Sequence, residues 1–332
     1  MQIEEEVGPP PTVGTSHLEE KKWPEKVAIV AGTLGIFLVA LYFLFLGPRM
    51  TVVIYGYQVD LLPKVSLVSG IQFVFWYLVA TLSITAGFHR LFTHRSYKTK
   101  RWVEIAFAIS GSGSWQGNFF KWIEEHRQHH QKTETDEDPY APQVEKRGIL
   151  LGYAHSSYGW MVGQSKLDPK KDLIADLRKD PTLGWINKTF LLWTLLFVLI
   201  PALIGGLISW SWMEAYSSFI WGGIISKALS QFATFQVNSL CHMVGKRAFN
   251  TKDESKDFLP VALAAMGEGN HNGHHKYEWS ARHGLWKGSI DFTHWCLRRL
   301  EDVGLAWDLR EPSRATVVKD LNPGFEPHPC LK

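Results

Sequence analysis

The sequence is poor in what several ordinary protein classes require. Its 332 residues include only three cysteines, Cys241, Cys296 and Cys330, with no metal-ligand spacing, which excludes a disulfide framework and a thiolate metal site and suits a reducing compartment. It has no glycine-rich dinucleotide fingerprint and no haem-attachment motif. Charge is nearly balanced: 35 Lys and Arg against 32 Asp and Glu leave a formal net charge of +3, and no nucleic-acid partner is expected. A polar, proline-containing stretch precedes the first apolar run, so no secretory signal is expected, and residues 1–22 read as a disordered tail.

What is present is uncharged length. The mean hydropathy of −0.09 hides it, because the apolar residues are concentrated in runs. Val27 to Gly47, Val65 to Phe88 and Thr189 to Met213 contain no charge, and Ala215 to Val237 is interrupted only by Lys227. At about 1.5 Å per residue each run can cross a hydrocarbon layer of roughly 30 Å. Spans near 27–47, 65–88, 189–213 and 215–237 are therefore expected, in two hairpins within a single domain over 23–310, with 311–332 as a C-terminal tail. Lys21, Lys22 and Lys26, and then Arg90, Arg95, Lys98, Lys100 and Arg101, flank the spans on one side, while the first connection carries only Arg49 and Lys64. By this bias both termini and the central polar region face the cytoplasm.

Fourteen histidines are unevenly placed. His89 and His94 follow the second run in GFHRLFTHRSY; His126, His129 and His130 lie in EEHRQHHQKTETDEDPY; His242 closes NSLCH; His271, His274 and His275 lie in GEGNHNGHHKYEW. Each HxxHH cluster puts three rings on one helix face. His89 and His94, five apart, are offset by about 140° on an ordinary helix, so they converge only if they meet different metals or the helix ends between them. Asn238 lies one turn before His242. Neutral imidazole suits iron, zinc, copper and nickel alike, so ligand type alone does not name the metal. Metal-bound rings commonly donate their outer N–H to a carboxylate, for which Glu125, Asp138 and Glu268 are candidates. His17, His294 and His328 read as ordinary interfacial side chains, and His155 and His283 as candidates for a supporting role.

HxxxxH, HxxHH and HxxHH, arranged between and after paired spans, resemble the membrane fatty acyl desaturases. The resemblance runs from about Ile84 to Leu285, and HRLFTHRSY, HRQHH with TDEDP, NSLCH and GEGNHNGHH are most similar to the delta-9 branch. It implies an all-α integral membrane fold: four transmembrane helices in two hairpins and a cytoplasmic helical cap carrying a histidine-rich dimetal site. It further implies two irons, one held by His89, His94, His130 and His275 with a water on Asn238, the other by His126, His129, His242, His271 and His274. O2 would be the co-substrate, with electrons from a ferredoxin or a b-type cytochrome, and no catalytic group separate from the metal ligands. A basic surface around Arg95 to Arg101 is a candidate for receiving an acidic donor, or a plain charge belt at the membrane. An alkyl substrate needs an apolar tunnel, for which Trp115, Phe119, Phe120 and Trp122 are candidate lining.

The match departs from animal acyl-CoA desaturases at the head-group positions. Glu124 and Glu125 stand where an Arg-Asp pair is usual, Gln164 and Ser165 follow Gly159-Trp160 in place of a basic pair, and Gly117 follows Gln116 in place of Asn. A carboxylate repels phosphate, so acyl lipid or acyl carrier protein is at least as suitable a carrier as CoA. The expected function is desaturation, giving a cis double bond, in a multi-pass protein of a bacterial inner membrane or the endoplasmic reticulum. Acetylenase, hydroxylase or terminal-alkene chemistry on the same scaffold is the alternative. A histidine-rich metal transporter is more distant, since the runs hold almost no ionisable ligand.

Overall fold

The computed structural model describes residues 51–54, 56–60, 63–142, 148–161, 167 and 172–331. The 1–22 tail, the run from Val27 to Gly47 and the pair Gln164 and Ser165 lie outside the described residues.

A short hairpin, Thr51–Ile54 paired antiparallel with Tyr57–Asp60, precedes the first long helix. Ser66 starts that helix: its hydroxyl accepts the Ser69 N–H, and the Ser69 side chain returns the bond to the Ser66 N–H. The helix runs without a break from Leu67 to Thr93. Leu67, Ile71, Val74 and Phe75 point outward, while Ser69, Gln72, Trp76 and Ala80 are buried. An exterior more apolar than the interior is the pattern expected of a helix whose solvent is lipid. Past Ser83 every residue to Thr93 is buried, and the winding widens to i→i+5 hydrogen bonds.

Phe190–Ser209 and the helical stretch from Trp212 onward form a tight pair. Trp210 makes the turn in the left-handed region (φ 47°), and Ser211 caps the return by accepting the Glu214 N–H. Leu191, Leu195, Leu199, Leu203 and Leu207 form an exposed stripe at four-residue spacing. Small residues line the inner contact. A Cβ on Gly205 would lie 2.6 Å from that of Ser218, and one on Gly223 would lie 2.5 Å from the Val198 carbonyl oxygen.

By length and composition two of the described helices can cross a membrane, Leu67–Thr93 and Phe190–Ser209. The fourth expected run falls in Trp212–Ser218, a wide-wound turn Phe219–Ile225 and Ser226–Met243. It is not one of those two: its buried face includes Ser226, Lys227, Ser230, Thr234 and Gln236. Lys227 donates to the Gly222 carbonyl at 2.8 Å and lies 4.9 Å from the centre of the Trp76 ring.

The remaining helices make a cap over one end of the long ones. Phe88, Phe92, Phe119, Phe120, Ile123, Ile186 and Leu297 share one apolar core. A two-residue strand pair, Lys98–Thr99 with Ala306–Trp307, ties the segment after Thr93 to the end of helix Phe292–Asp302.

Residues 311–331, expected as a tail, are packed onto this cap. Val317 and Leu331 are buried with Phe249, Tyr277 and Leu285, and the His328 N–H donates to the Leu285 carbonyl at 2.9 Å. Glu311 accepts from Arg282 (3.0 Å), Arg298 (2.6 Å) and His294 (2.9 Å). His294, which reads from the sequence as interfacial, is buried as part of this anchorage. Apolar anchors and a shared carboxylate hold the segment in place.

Candidate metal centre

Four segments bring the histidines together. Because the wide winding at Ser83–Thr93 makes residues five apart neighbours, the His94 N–H reaches the His89 carbonyl at 3.1 Å and the two ring centres lie 4.8 Å apart. The helix ends at Thr93, with His94 as its C-cap, and the two rings meet in one group rather than in different ones; the wide pitch before that end removes the expected 140° offset. Helix Phe119–Lys132, capped by Asn118 accepting the Lys121 N–H, carries His126, His129 and His130. His242 lies near the end of Ser226–Met243, and the short helix His271–Lys276 supplies the last three rings. Gly273 lets that helix close on the following loop, since a Cβ there would lie 2.5 Å from the His283 carbonyl oxygen.

All nine expected histidines fall into two groups whose ligand atoms lie within 4.8 Å of one another: His89, His94, His126, His130 and His274, and His129, His242, His271 and His275. This division differs from the one that the resemblance implies. His126 and His274 belong with His89, and His275 belongs with His129. Nε2 faces Nε2 at 3.1 Å between His89 and His274, 3.0 Å between His274 and His130, 3.1 Å between His130 and His126, and 3.0 Å between His242 and His271.

Acidic residues stand at the outer nitrogens. Nδ1 of His129 is 2.9 Å from Asp138 and that of His89 is 2.5 Å from Glu268, as expected, although the second contact is poorly aligned for a linear bond. The sequence reading missed three more: Glu134 at 3.2 Å from His242, Asp253 at 2.8 Å from His275, and Glu278 at 3.4 Å from His130. Asp253 and Glu134 lie far along the chain from their rings, and no local spacing announces such pairings. Glu125 does not join this set: it points to Lys121 at 3.6 Å, and burial pushes its carboxyl up to about 7.

Burial, reinforced by neighbouring rings, holds His94, His126, His130, His271 and His274 well below the usual imidazole range, and it pushes His275 down to about 4. Burial opposes protonation of His129 too, but Asp138 outweighs it and raises that ring. An outer N–H held by a carboxylate leaves a bare lone pair on the inner nitrogen. Nε2 of His94, His129 and His275 is buried with no hydrogen-bond partner among the described residues. Converging lone pairs at about 3 Å repel one another unless a cation sits among them, and adjacent ligands about 2.1 Å from one ion have this spacing. The donor set therefore fits two metal ions.

A pocket borders the centre. His89, His126, His271 and Glu268 form one wall, and Ile84, Trp122, Trp160, Phe235 and Val237 supply apolar lining. Asn238 is in the wall, beside the metal groups. Of the four aromatics expected to line a tunnel, Trp122 is in the wall of this pocket. Phe119 and Phe120 are packed in the cap core, and Trp115 turns in the left-handed region, its carbonyl accepting from Gln231. Gln116 and Thr234, hydrogen-bonded at 2.8 Å, make a polar spot in the lining. The basic surface expected around Arg95 to Arg101 is largely neutralised, Arg95 pairing with Asp176, Lys98 with Asp308 (3.0 Å) and Arg101 with Asp180 (2.7 Å).

Residues 69–287 match the fatty acid desaturase family model. The chain is 30% identical to hex-5-enoyl-[acyl-carrier protein] acetylenase of Moorena producens over 273 residues, 76% of this chain and 85% of that protein. It is 34% identical to palmitoyl-monogalactosyldiacylglycerol delta-7 desaturase, chloroplastic, of Arabidopsis thaliana, over 74% of this chain and 63% of that protein. Delta-9 acyl-lipid desaturase 1 of the same plant is 34% identical over 72% of this chain and 75% of its own length. A family match over about two thirds of the chain, which takes in all nine histidines, makes this chain a member of the membrane-bound fatty acid desaturase family.

Proposed function

We propose that the protein is an oxygen-dependent fatty acyl desaturase that inserts a cis double bond into an acyl chain held in the pocket beside the histidines. The observation that carries this reading is the adjacency of two imidazole groups fit for metal and a largely apolar pocket. An unactivated methylene has no acidic proton, so a general base has nothing to remove. When bound, two irons would supply the oxidising power, with O2 as the oxidant. The balance is –CH2–CH2– + O2 + 2 e⁻ + 2 H⁺ → –CH=CH– + 2 H2O. The electrons come from a donor outside the chain, a ferredoxin or a b-type cytochrome.

The chain's own residues have the remaining work. His89, His94, His126, His130 and His274 hold one ion, and His129, His242, His271 and His275 the other, with Asn238 placed to hold a water. Asp138, Glu134, Asp253 and Glu268 keep the protons on the outer nitrogens and fix the rings. Trp122, Trp160 and Phe235 exclude water and align the methylenes past the ligand wall. In the bilayer, four spans in two hairpins hold this cap and both termini at the cytoplasmic face. The carrier is an acyl lipid, an acyl carrier protein or CoA.

Similarity to the Moorena producens acetylenase over most of its length favours triple-bond formation as a second reading. Expression in a host without desaturases, followed by mass spectrometry of total fatty acids, tests both. A new monounsaturated species with wild type and none with His130→Ala is expected. An alkynyl product would favour the second reading. No oxidised acyl product, with donor and carriers supplied, would overturn both.

A further inference from the structure

His283 has no assigned part in the centre, yet it lies within it. Its residue is 1% exposed, and neither ring nitrogen has a hydrogen-bond partner among the described residues. An ordinary core histidine satisfies at least its N–H, because a bare buried donor forfeits the hydrogen bond it would make to water. The His283 ring lies 4.3 Å from that of His274 and 5.3 Å from that of His89, centre to centre. Its Nδ1 is 3.5 Å from Oε2 of Glu268, the oxygen that also faces Nδ1 of His89 at 2.5 Å.

Glu268 differs from the other acids at the centre. Asp138, Glu134, Asp253 and Glu278 stand behind their rings, whereas Glu268 also lines the acyl pocket. A carboxylate in that wall needs its charge and direction fixed. The fully buried Arg90 takes Oε1 at 2.5 Å, which leaves Oε2 between two histidines. Asp291 sets the far side: it accepts from Arg90 (3.1 Å) and from the backbone N–H of His283 (2.7 Å) and of Gly284 (3.2 Å). The loop bearing His283 is thus tied to the same arginine that holds Glu268. His89, Glu268 and His283 have the proximity of a metal group, but the Arg90 guanidinium on Glu268 opposes a third cation there.

We propose that His283 is a tenth histidine of the centre, a positioning residue that holds Glu268, and through it His89, in the wall between the first metal group and the acyl pocket. The proposal rests on the two-metal reading above.

The test uses the purified full-length chain loaded with Co(II), comparing wild type, His283→Ala and His283→Gln. The readouts are ions per chain, their release into excess EDTA, the visible Co(II) spectrum and the unfolding temperature. Wild type should retain two ions. His283→Ala should release one of them about tenfold faster, as loss of a ligand-orienting partner does. The other ion should be unaffected and the spectrum altered for one ion only. His283→Gln, which keeps an N–H for Glu268, should recover much of the slow release.

Both ions released by His283→Ala at the wild-type rate would overturn the proposal. So would equal loss of both ions with a lower unfolding temperature, which marks a general packing role. Three ions in wild type and two in His283→Ala would make His283 a ligand of its own ion instead. A wild-type chain that retains no metal would overturn the two-metal reading itself. If the alanine variant does not fold, His283→Leu against His283→Gln makes the same comparison between side chains nearer in size, without and with a donor.

Discussion

An imidazole serves a metal only when its proton is on the far nitrogen, so the acids behind the rings matter as much as the rings. Asp138 illustrates this: it faces Nδ1 of His129 at 2.9 Å and accepts backbone N–H groups from Glu134 and Tyr140. Asp138→Asn should keep the fold and lower metal affinity by about 10- to 100-fold, read by metal content after dialysis against a graded chelator. His129→Ala or His274→Ala should abolish turnover with membrane insertion retained, and a normal product yield from either would refute its role as a ligand. Glu311 governs a different property. Burial alone would raise it, but His294, Arg282 and Arg298 hold it down at about 2 against an ordinary 4.5. A depressed carboxylate stabilises the fold above its unfolded value and loses that effect as pH falls through its folded value. Acid unfolding should therefore steepen between about pH 4.5 and 2, and Glu311→Gln should flatten that limb in unfolding curves taken across the range. The rings that gather in these two groups were legible in the sequence because HxxHH repeats on one helix face. Glu134, Asp253 and Glu311 were not, since each meets its partner only after distant segments have folded together.

At the scale of elements, pitch decides what the sequence pattern means. Read at 3.6 residues per turn, His89 and His94 diverge; wound wider from Ser83 to Thr93, they become neighbours in one group. No residue in SITAGFHRLFT announces that change, whose support includes contacts from outside the segment: Tyr97 donates to the Ala86 carbonyl at 3.0 Å, and the Thr85 and Thr293 hydroxyls lie 2.8 Å apart. The uncharged runs at 65–88 and 189–213 located the two long helices but misplaced their far ends, which lie at Thr93 and Ser209. They did not disclose that Ser226–Met243 presents a polar inner face, since Ser, Thr and Gln break no uncharged run. The glycines of the second pair make a sharper claim. With the Val198 carbonyl 2.5 Å from where a Cβ on Gly223 would stand, Gly223→Val must part the two helices. A loss of about 1–3 kcal/mol is expected, seen as a lower unfolding temperature in detergent. Gly184, a helical glycine with nothing within 4 Å of its Cβ position, is the contrast, and Gly184→Ala should not lower that temperature, since Ala favours the helix over Gly.

For the whole molecule, the proposed arrangement puts the cap on one side of a bilayer. Leu191 to Leu207 present an exposed apolar stripe, as do Leu67, Ile71 and Phe75, whereas the nine rings and their acids gather at the Thr93 end of the long helix. The proposed topology puts that cap and both termini on the cytoplasmic face, and the three cysteines allow a direct test. Cys241 is buried, and Cys296 is half-buried with its thiol pushed up to about 11 by burial; Cys330 is exposed, on the segment folded back onto the cap. A membrane-impermeant maleimide should therefore react essentially at Cys330 alone. Labelling should be complete in sealed vesicles with the cytoplasmic face outward, absent in vesicles of the opposite sense until detergent is added, and abolished by Cys330→Ser. The reverse pattern would put the histidine cap on the far face, away from any cytoplasmic electron donor, and would overturn the topology together with the donors assigned to it.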